Sequence, residues 1–547
     1  MSANQNTTPI KSETDVVVVG AGFSGLYLIK RFRDMGLGVQ VFEAGTDVGG
    51  TWYWNRYPGA RCDSDSIHYS YSWDKELEQE WTWSEKFSPQ PEILQYLNHV
   101  ADKHNLRDSV KFNARVKAAT FDDATSRWTV TTEAGDEVSS RYFIMATGCL
   151  SSANMPDIKG ADSFKGDTYH TGHWPHEGVD FTGKRVGVIG TGSSAIQAIP
   201  LIAAEADHLH VFQRSAQYTI PAFNGPLPDE RIKYVKENYD ELRHAARYSP
   251  DGMGTVPPAK GALEVSDEER EAMYMKGWQT GGFGFARTFN DTGINKEAND
   301  TAVKFVHDRI DEIVKDPEVA RKLKPTTYPI FTKRICVDTD YYATYNRENV
   351  TLVDLTEAPI TEITAKGVRT EAQEYELDAI VFATGFDAMT GSILRVDIRG
   401  AGGQSLRDAW EAGPRTYLGL MTHGFPNMFL ITGPGSPSVL SNMTTSIEQH
   451  VEFVTDFIGH LDENNVAAVD ADLAEQDKWV AHVNEVANYT LHPTANSWYM
   501  GANIPGKPRI FMPYMGGVGA YRQLCEGVAN DNYKGFVKMS ETSAAAE

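Results

Sequence analysis

Two short β-branched runs, each ending in a glycine hexapeptide, limit what this chain can become more than any other feature of it. Asp15-Val16-Val17-Val18-Val19 leads into Gly20-Ala21-Gly22-Phe23-Ser24-Gly25, and Arg185-Val186-Gly187-Val188-Ile189 leads into Gly190-Thr191-Gly192-Ser193-Ser194-Ala195. Each run is too short for a helix and is closed by glycine, which predicts a buried parallel strand. After the first loop, Leu26, Ile29 and Phe32 recur at helical spacing in a helix predicted over residues 24–35, and Val39 to Phe42 reads as a second strand closing in Glu43. After the second loop, the returning strand is predicted from His208 to Gln213. Strand, G-x-G-x-x-G/A, helix and strand form the βαβ unit that offers backbone N–H groups and a helix N-terminus to a pyrophosphate. The fold class predicted is α/β, with two Rossmann-like dinucleotide-binding domains.

The two units end in opposite chemistry. Glu43 stands where a carboxylate accepts from both hydroxyls of an unphosphorylated ribose. The matching place in the second unit holds Gln213, followed by Arg214 and Ser215. A guanidinium and a hydroxyl pair with a 2′-phosphate that a carboxylate would repel. The expectation is FAD on Gly20, Gly22, Phe23, Gly25 and Glu43, and NADPH on Gly190, Gly192, Ser193, Ser194, Arg214 and Ser215. Hydride then passes from nicotinamide to flavin.

Composition removes several alternatives. Lys+Arg 51 against Asp+Glu 74 gives a net charge of -23, which argues against a nucleic-acid partner. The start of the chain lacks the apolar core of a signal peptide, and no run approaches the ~18 apolar residues of a membrane span, so a soluble, cytoplasmic protein is expected. Cys62, Cys149, Cys336 and Cys525 lie far apart, which predicts neither a metal site nor the cysteine pair of a disulfide reductase. The main remaining flavoproteins of this architecture deliver electrons to oxygen. Oligomeric state is left open, a monomer being compatible with the sequence.

Between about Phe223 and Pro325 the pattern turns to charged helical stretches, predicted over 229–248 and 300–322, the latter with Val303, Val306, Ile310 and Ile313 on one face. Two apolar runs end in Ala146-Thr147-Gly148 and Ala383-Thr384-Gly385, expected crossings between domains. The predicted organisation is an FAD domain over 1–150 and 386–547, an NADP domain over 151–222 and 335–385, and a helical insertion over 223–334. The last eight residues, from Ser540, are expected to be an unburied tail.

Before the second unit stands Phe164-Lys165-Gly166-Asp167-Thr168-Tyr169-His170-Thr171-Gly172-His173-Trp174-Pro175. This F-x-G-x-x-x-H-x-x-x-W-P string between two glycine loops resembles the fingerprint of the type I Baeyer-Villiger monooxygenases, and the resemblance spans nearly the whole chain. It implies an FAD- and NADPH-dependent enzyme that converts ketones to esters or lactones through a flavin C4a-peroxide, with thioether oxidation as a side activity. Related N- or S-oxygenating flavin monooxygenases are the alternative, though they usually differ at the Trp174-Pro175 pair. By similarity, Gly50, Thr51, Trp52, Asp63 and Tyr69 lie along FAD, Val116 in a strand predicted over 112–116 meets the adenine, and Met443 contacts the flavin. Arg334 is implied as the cation beside the peroxide, with Asp63 as its acidic partner, and arginine suits because it stays charged throughout. Gln197, Arg214, Ser215 and Lys333 match NADP contacts, and Trp498 matches a tryptophan on a loop that closes over that cofactor. The ketone pocket is implied among Gly433 to Leu440, Gly281 to Phe285 and Phe511 to Tyr514. The wording of these segments resembles phenylacetone- and steroid-type members more than the cyclohexanone type, which points to bulky ketones.

Overall fold

A computed structural model describes residues 9–540. In one sheet, Lys11–Val19 lies between Val39–Phe42 and Glu137–Met145, parallel to both. Met428–Leu430 joins beside Glu137–Met145, and Val110–Lys111 beside Val39–Phe42. Val16, Val17 and Val18 are fully buried, as a strand covered on both faces requires. The first strand begins at Lys11 rather than Asp15, because Lys11 to Thr14 pair with Glu137 to Ser140. Backbone pairing extends it there with polar side chains, so no apolar signal marks the extension.

The second sheet is wholly parallel, in the order Val350–Asp354, His208–Gln213, Arg185–Ile189, Ala379–Phe382, Asp167–His170. A helix follows each glycine loop, Phe23–Asp34 after the first and Ser193–Glu205 after the second. Leu26, Ile29 and Phe32 are buried on the first, and Ala195, Ile196 and Ile199 on the second.

Thr219–Pro221 and Cys336–Asp338 pair in parallel, so the chain enters and leaves the intervening helical region at one place. The stretch predicted as one helix over 229–248 is two, Asp229–Glu237 and Tyr239–Tyr248, broken at Asn238. That predicted over 300–322 is also two, Lys296–Ile313 and Pro317–Leu323, because Asp316 caps a new helix whose first residue is proline. Tyr274, Trp278, Phe285 and Phe305 of this region share one core with Val186, Val188 and Ile196 of the second unit. Arg243 ties it to the opposite side, donating to Glu78 at 2.8 Å and to the Ser70 hydroxyl at 2.7 Å.

The two predicted crossings lie side by side: Asn154 N donates to Gly385 O at 2.9 Å, Asp387 N to Ser152 O at 2.8 Å and Met389 N to Cys149 O at 2.9 Å. The fingerprint braces them. Trp174 is buried against Tyr169 and Phe181. His170 accepts from Gly172 N at 2.9 Å and faces Phe386, and burial draws its imidazole down to about 4, so it is neutral.

Ser540, read as the start of the tail, instead closes a strand, Phe536–Ser540, paired antiparallel with Val466–Ala471. The rest of that predicted tail lies outside the described residues, as do residues 1–8. No helix among the described residues is long and apolar enough to cross a membrane.

Candidate active site

The first glycine loop is shaped for close approach. A Cβ at Gly25 would stand 2.0 Å from Gly20 O, so helix and strand touch only because the side chain is absent. Glu43 is buried beneath the loop, its carboxylate accepting from Ala21 N at 2.8 Å and Gly45 N at 2.7 Å. Burial pushes its carboxyl above the usual range, against the backbone hydrogen bonds that favour the anion. Neither Gly22 nor Gly192 gives its helix a side-chain cap, whereas Asn295, Asp316 and Asp472 cap theirs. Two uncapped N-termini after glycine loops fit two pyrophosphates. At Gly192 a Cβ would meet nothing within 4 Å, so the second loop is open where a phosphate would lie.

The remaining residues predicted for FAD converge in part. Trp52 donates through Nε1 to the Tyr69 hydroxyl at 3.2 Å, and Phe23 packs edge-on to Tyr69 at 5.3 Å. Gly50 precedes the short helix Thr51–Trp54, on which Thr51 is exposed. Met443 opens the helix Met443–Glu463, capped by Asn442, whose amide also donates to His68 O at 2.6 Å. Val116 is buried but opens the strand Val116–Asp122 rather than ending one over 112–116. Asn113 there is left-handed, φ 54°, a turn that alternating apolar residues concealed.

On the second unit, Ser193 and Ser194 begin the helix, and the Ser193 hydroxyl meets Cys336 Sγ at 3.2 Å. Gln197 receives the Tyr57 hydroxyl at 2.8 Å and donates to Arg61 O at 3.2 Å, joining this helix to the segment that carries Asp63. Ser215 O accepts from the Thr191 hydroxyl at 2.8 Å, while Arg214 is exposed. Lys333 lies over the Tyr328 ring, 4.0 Å from its centroid. Burial first, and then Arg214, lower Lys333 to about 8. Among the described residues no carboxylate pairs with either cation, although the protein carries a net charge of -23. Two adjacent cations left unneutralised in so acidic a chain fit an anionic ligand group.

Arg334 and Asp63 meet squarely. Arg334 donates to Asp63 through Nη2 at 2.6 Å and Nε at 3.1 Å, and through Nη1 to Val439 O at 3.2 Å. Its guanidinium lies 4.9 Å from the Phe283 ring centroid. Burial works against the charge, but Asp63 outweighs it and the guanidinium is held more basic than usual. Of its five N–H groups, these three bonds leave two. The Tyr499 hydroxyl is in reach of the guanidinium, and burial pushes it up to about 12, so it stays protonated.

Beside Arg334 opens a cavity of about 230 Å³. Phe283, Phe289, Phe331 and Leu440 give it apolar walls, and Lys333, Tyr499 and His492 add polar groups. Two of the three segments expected to form a ketone pocket therefore reach it, through Phe283 and Leu440. Phe511 does not line it but packs against His492 at 5.5 Å, one layer behind. Trp498 is half-buried and packs at a tilt against Tyr499, ring centroids 4.2 Å apart, in a turn adjoining the cavity. Sequence reasoning missed Phe289, Phe331, His492 and Tyr499. Phe331 and Tyr499 carried a signal, the first in its place just before Lys333 and Arg334 and the second in the Trp498 loop.

Residues 13–223 match the flavin-binding monooxygenase-like family. Over 539 residues the chain is 44% identical to a Baeyer-Villiger monooxygenase of Pseudooceanicola batsensis, covering 98% of each. Over 534 residues it is 45% identical to a cyclohexanone 1,2-monooxygenase of an Acinetobacter species, covering 96% of this chain and 97% of that protein. Its fold matches a solved structure of oxidized steroid monooxygenase bound to NADP with a TM-score of 0.93 at 53% identity, covering 96% of this chain and 100% of that one.

Proposed function

The chain belongs to the Baeyer-Villiger monooxygenases, FAD- and NADPH-dependent enzymes that convert ketones to esters or lactones, and we propose that its oxygen transfer turns on Arg334 held by Asp63. The observation that carries this reading is the bidentate pair at 2.6 and 3.1 Å on the wall of an aromatic cavity.

Bound FAD supplies the redox chemistry: reduced by NADPH, it activates dioxygen for transfer to the substrate. Glu43 holds the first glycine loop in the shape that receives it. Arg214 and Lys333 bind the 2′-phosphate of NADPH as a charge pair, which excludes NADH from equal use. Arg334 keeps its charge at every working pH, because its own basicity and the neighbouring Asp63 favour the cation. The carboxylate fixes one edge of the guanidinium and, with Val439 O on a third N–H, leaves two N–H groups for negative charge that develops on oxygen at the substrate carbonyl. The Tyr499 hydroxyl, protonated, lies against the same guanidinium. Phe283, Phe289, Phe331 and Leu440 line the space beside this charge and reduce the water around it, which strengthens each donor.

Bulky ketones are the substrate class favoured. The apolar lining supports this, as does the 53% identity to a steroid monooxygenase. The test is mass-spectrometric product analysis under isotopic oxygen with cyclic, aryl and steroid ketones and a thioether. One labelled oxygen in an ester or lactone is expected, with steroid or aryl ketones ranking above cyclohexanone. Labelled sulfoxide with no ester or lactone would move the chain to N- or S-oxygenation.

A further inference from the structure

One polar group on the cavity wall has no part in the chemistry above. His492 is only 8% exposed, and its Nδ1 meets the Thr490 hydroxyl at 3.2 Å. That hydroxyl donates its single hydrogen to Ala487 O at 2.7 Å and accepts from His492 N at 3.2 Å. With its hydrogen committed, the Thr490 oxygen can only accept from the ring, which assigns the imidazole proton to Nδ1 and leaves Nε2 a bare acceptor. Burial draws the imidazole down to about 4, so the ring is neutral near pH 7. Nε2 lies on the ring edge opposite Nδ1, has no hydrogen-bond partner among the described residues, and stays accessible on a residue that lines the cavity. A free acceptor on the wall of this cavity is placed to take a donor that a ligand brings.

We propose that His492 Nε2 is a specificity-determining group that accepts a hydrogen bond from a hydroxyl of the substrate, so that hydroxylated ketones are preferred. This rests on the ketone-oxygenation reading above. Arg334 adjoins Tyr499, whose ring centroid is 6.1 Å from that of His492. The reacting carbonyl and the hydroxyl are therefore separate groups on one molecule. A ribose hydroxyl of NADPH is the other source of the same donor chemistry, and the two differ in which KM responds.

The test compares kcat/KM of the holoenzyme for steroid and aryl ketones with that for their monohydroxylated derivatives at each available position. In the wild type at least one derivative is expected to exceed its parent by about tenfold. His492→Phe should erase that ratio, lowering kcat/KM for the hydroxylated ketone more than for its parent, while the NADPH KM stays within about twofold. His492→Gln, which keeps an acceptor, should retain part of it, and Thr490→Val, which frees the ring to carry its proton on either nitrogen, should lower it. The proposal is overturned if no ratio differs by more than about twofold between wild type and His492→Phe. It is also overturned if all ketones lose equally while the NADPH KM rises. A wild type that converts no ketone to ester or lactone contradicts the underlying reading, and this one with it.

Discussion

Asp63 and Arg334, 271 positions apart in the chain, share two hydrogen bonds of 2.6 and 3.1 Å. Asp63 comes from the aromatic segment that follows the first nucleotide unit, and Arg334 from the segment that leads into the strand Cys336–Asp338 on the way out of the helical region. The pair therefore exists only when both parts are assembled, and it couples their packing to the electrostatics of the cavity.

Asp63→Asn should leave flavin reduction by NADPH nearly intact and lower ketone turnover by about tenfold to a hundredfold. The amide keeps one acceptor for the guanidinium but not the charge-assisted pairing of both edges. Stopped-flow reduction beside steady-state product formation separates the two effects.

Arg214→Ala should raise the KM for NADPH by about tenfold or more, from loss of roughly 1.5 to 3 kcal/mol of charged hydrogen bonding, and leave NADH use unchanged. The ratio of the two kcat/KM values is the measurement.

Lys333 gives that preference a pH dependence. Its pKa in the protein is lowered to about 8, first by burial and then by Arg214, so the ammonium is lost as pH rises through that value. A bound phosphate favours the ammonium, so NADPH binding takes up a proton above about pH 8. The KM for NADPH should therefore rise through that range while that for NADH stays flat, and Lys333→Arg should flatten both.

The ion pair between Arg243 and Glu78 is buried, with side chains 8% and 2% exposed. Arg243→Met should cost about 3 kcal/mol by leaving Glu78 short of its main partner, although Lys75 still reaches it at 3.1 Å. Adding Glu78→Gln should recover part of the loss. Thermal midpoints of the two variants and of the parent check the order.

Much of this fold is legible because glycine and β-branched residues act locally. The two loops, the strands feeding them, and Glu43 against Arg214 follow from spacing and charge alone. Helix ends were harder: apolar residues keep a helical period on both sides of Val314 to Asp316, and only the Asp316-Pro317 pair marks the break. The site divides in the same way. Neither Arg334 nor Asp63 announces the other by composition or period, and family resemblance alone joined them. Phe289 and His492 are ordinary residues until the helical region and the C-terminal segment fold against each other, as the hydrogen bond from Leu491 N to Gly293 O at 3.0 Å records.

The most direct measurement is a split of the two half-reactions in Arg334→Ala. Flavin bleaching by NADPH under anaerobic conditions should proceed within a few-fold of the wild-type rate. Ester or lactone formation on admitting oxygen should fall by about a hundredfold or more, with NADPH oxidation continuing uncoupled. Ketone turnover at the wild-type rate in this variant would contradict the assignment of oxygen transfer to Arg334.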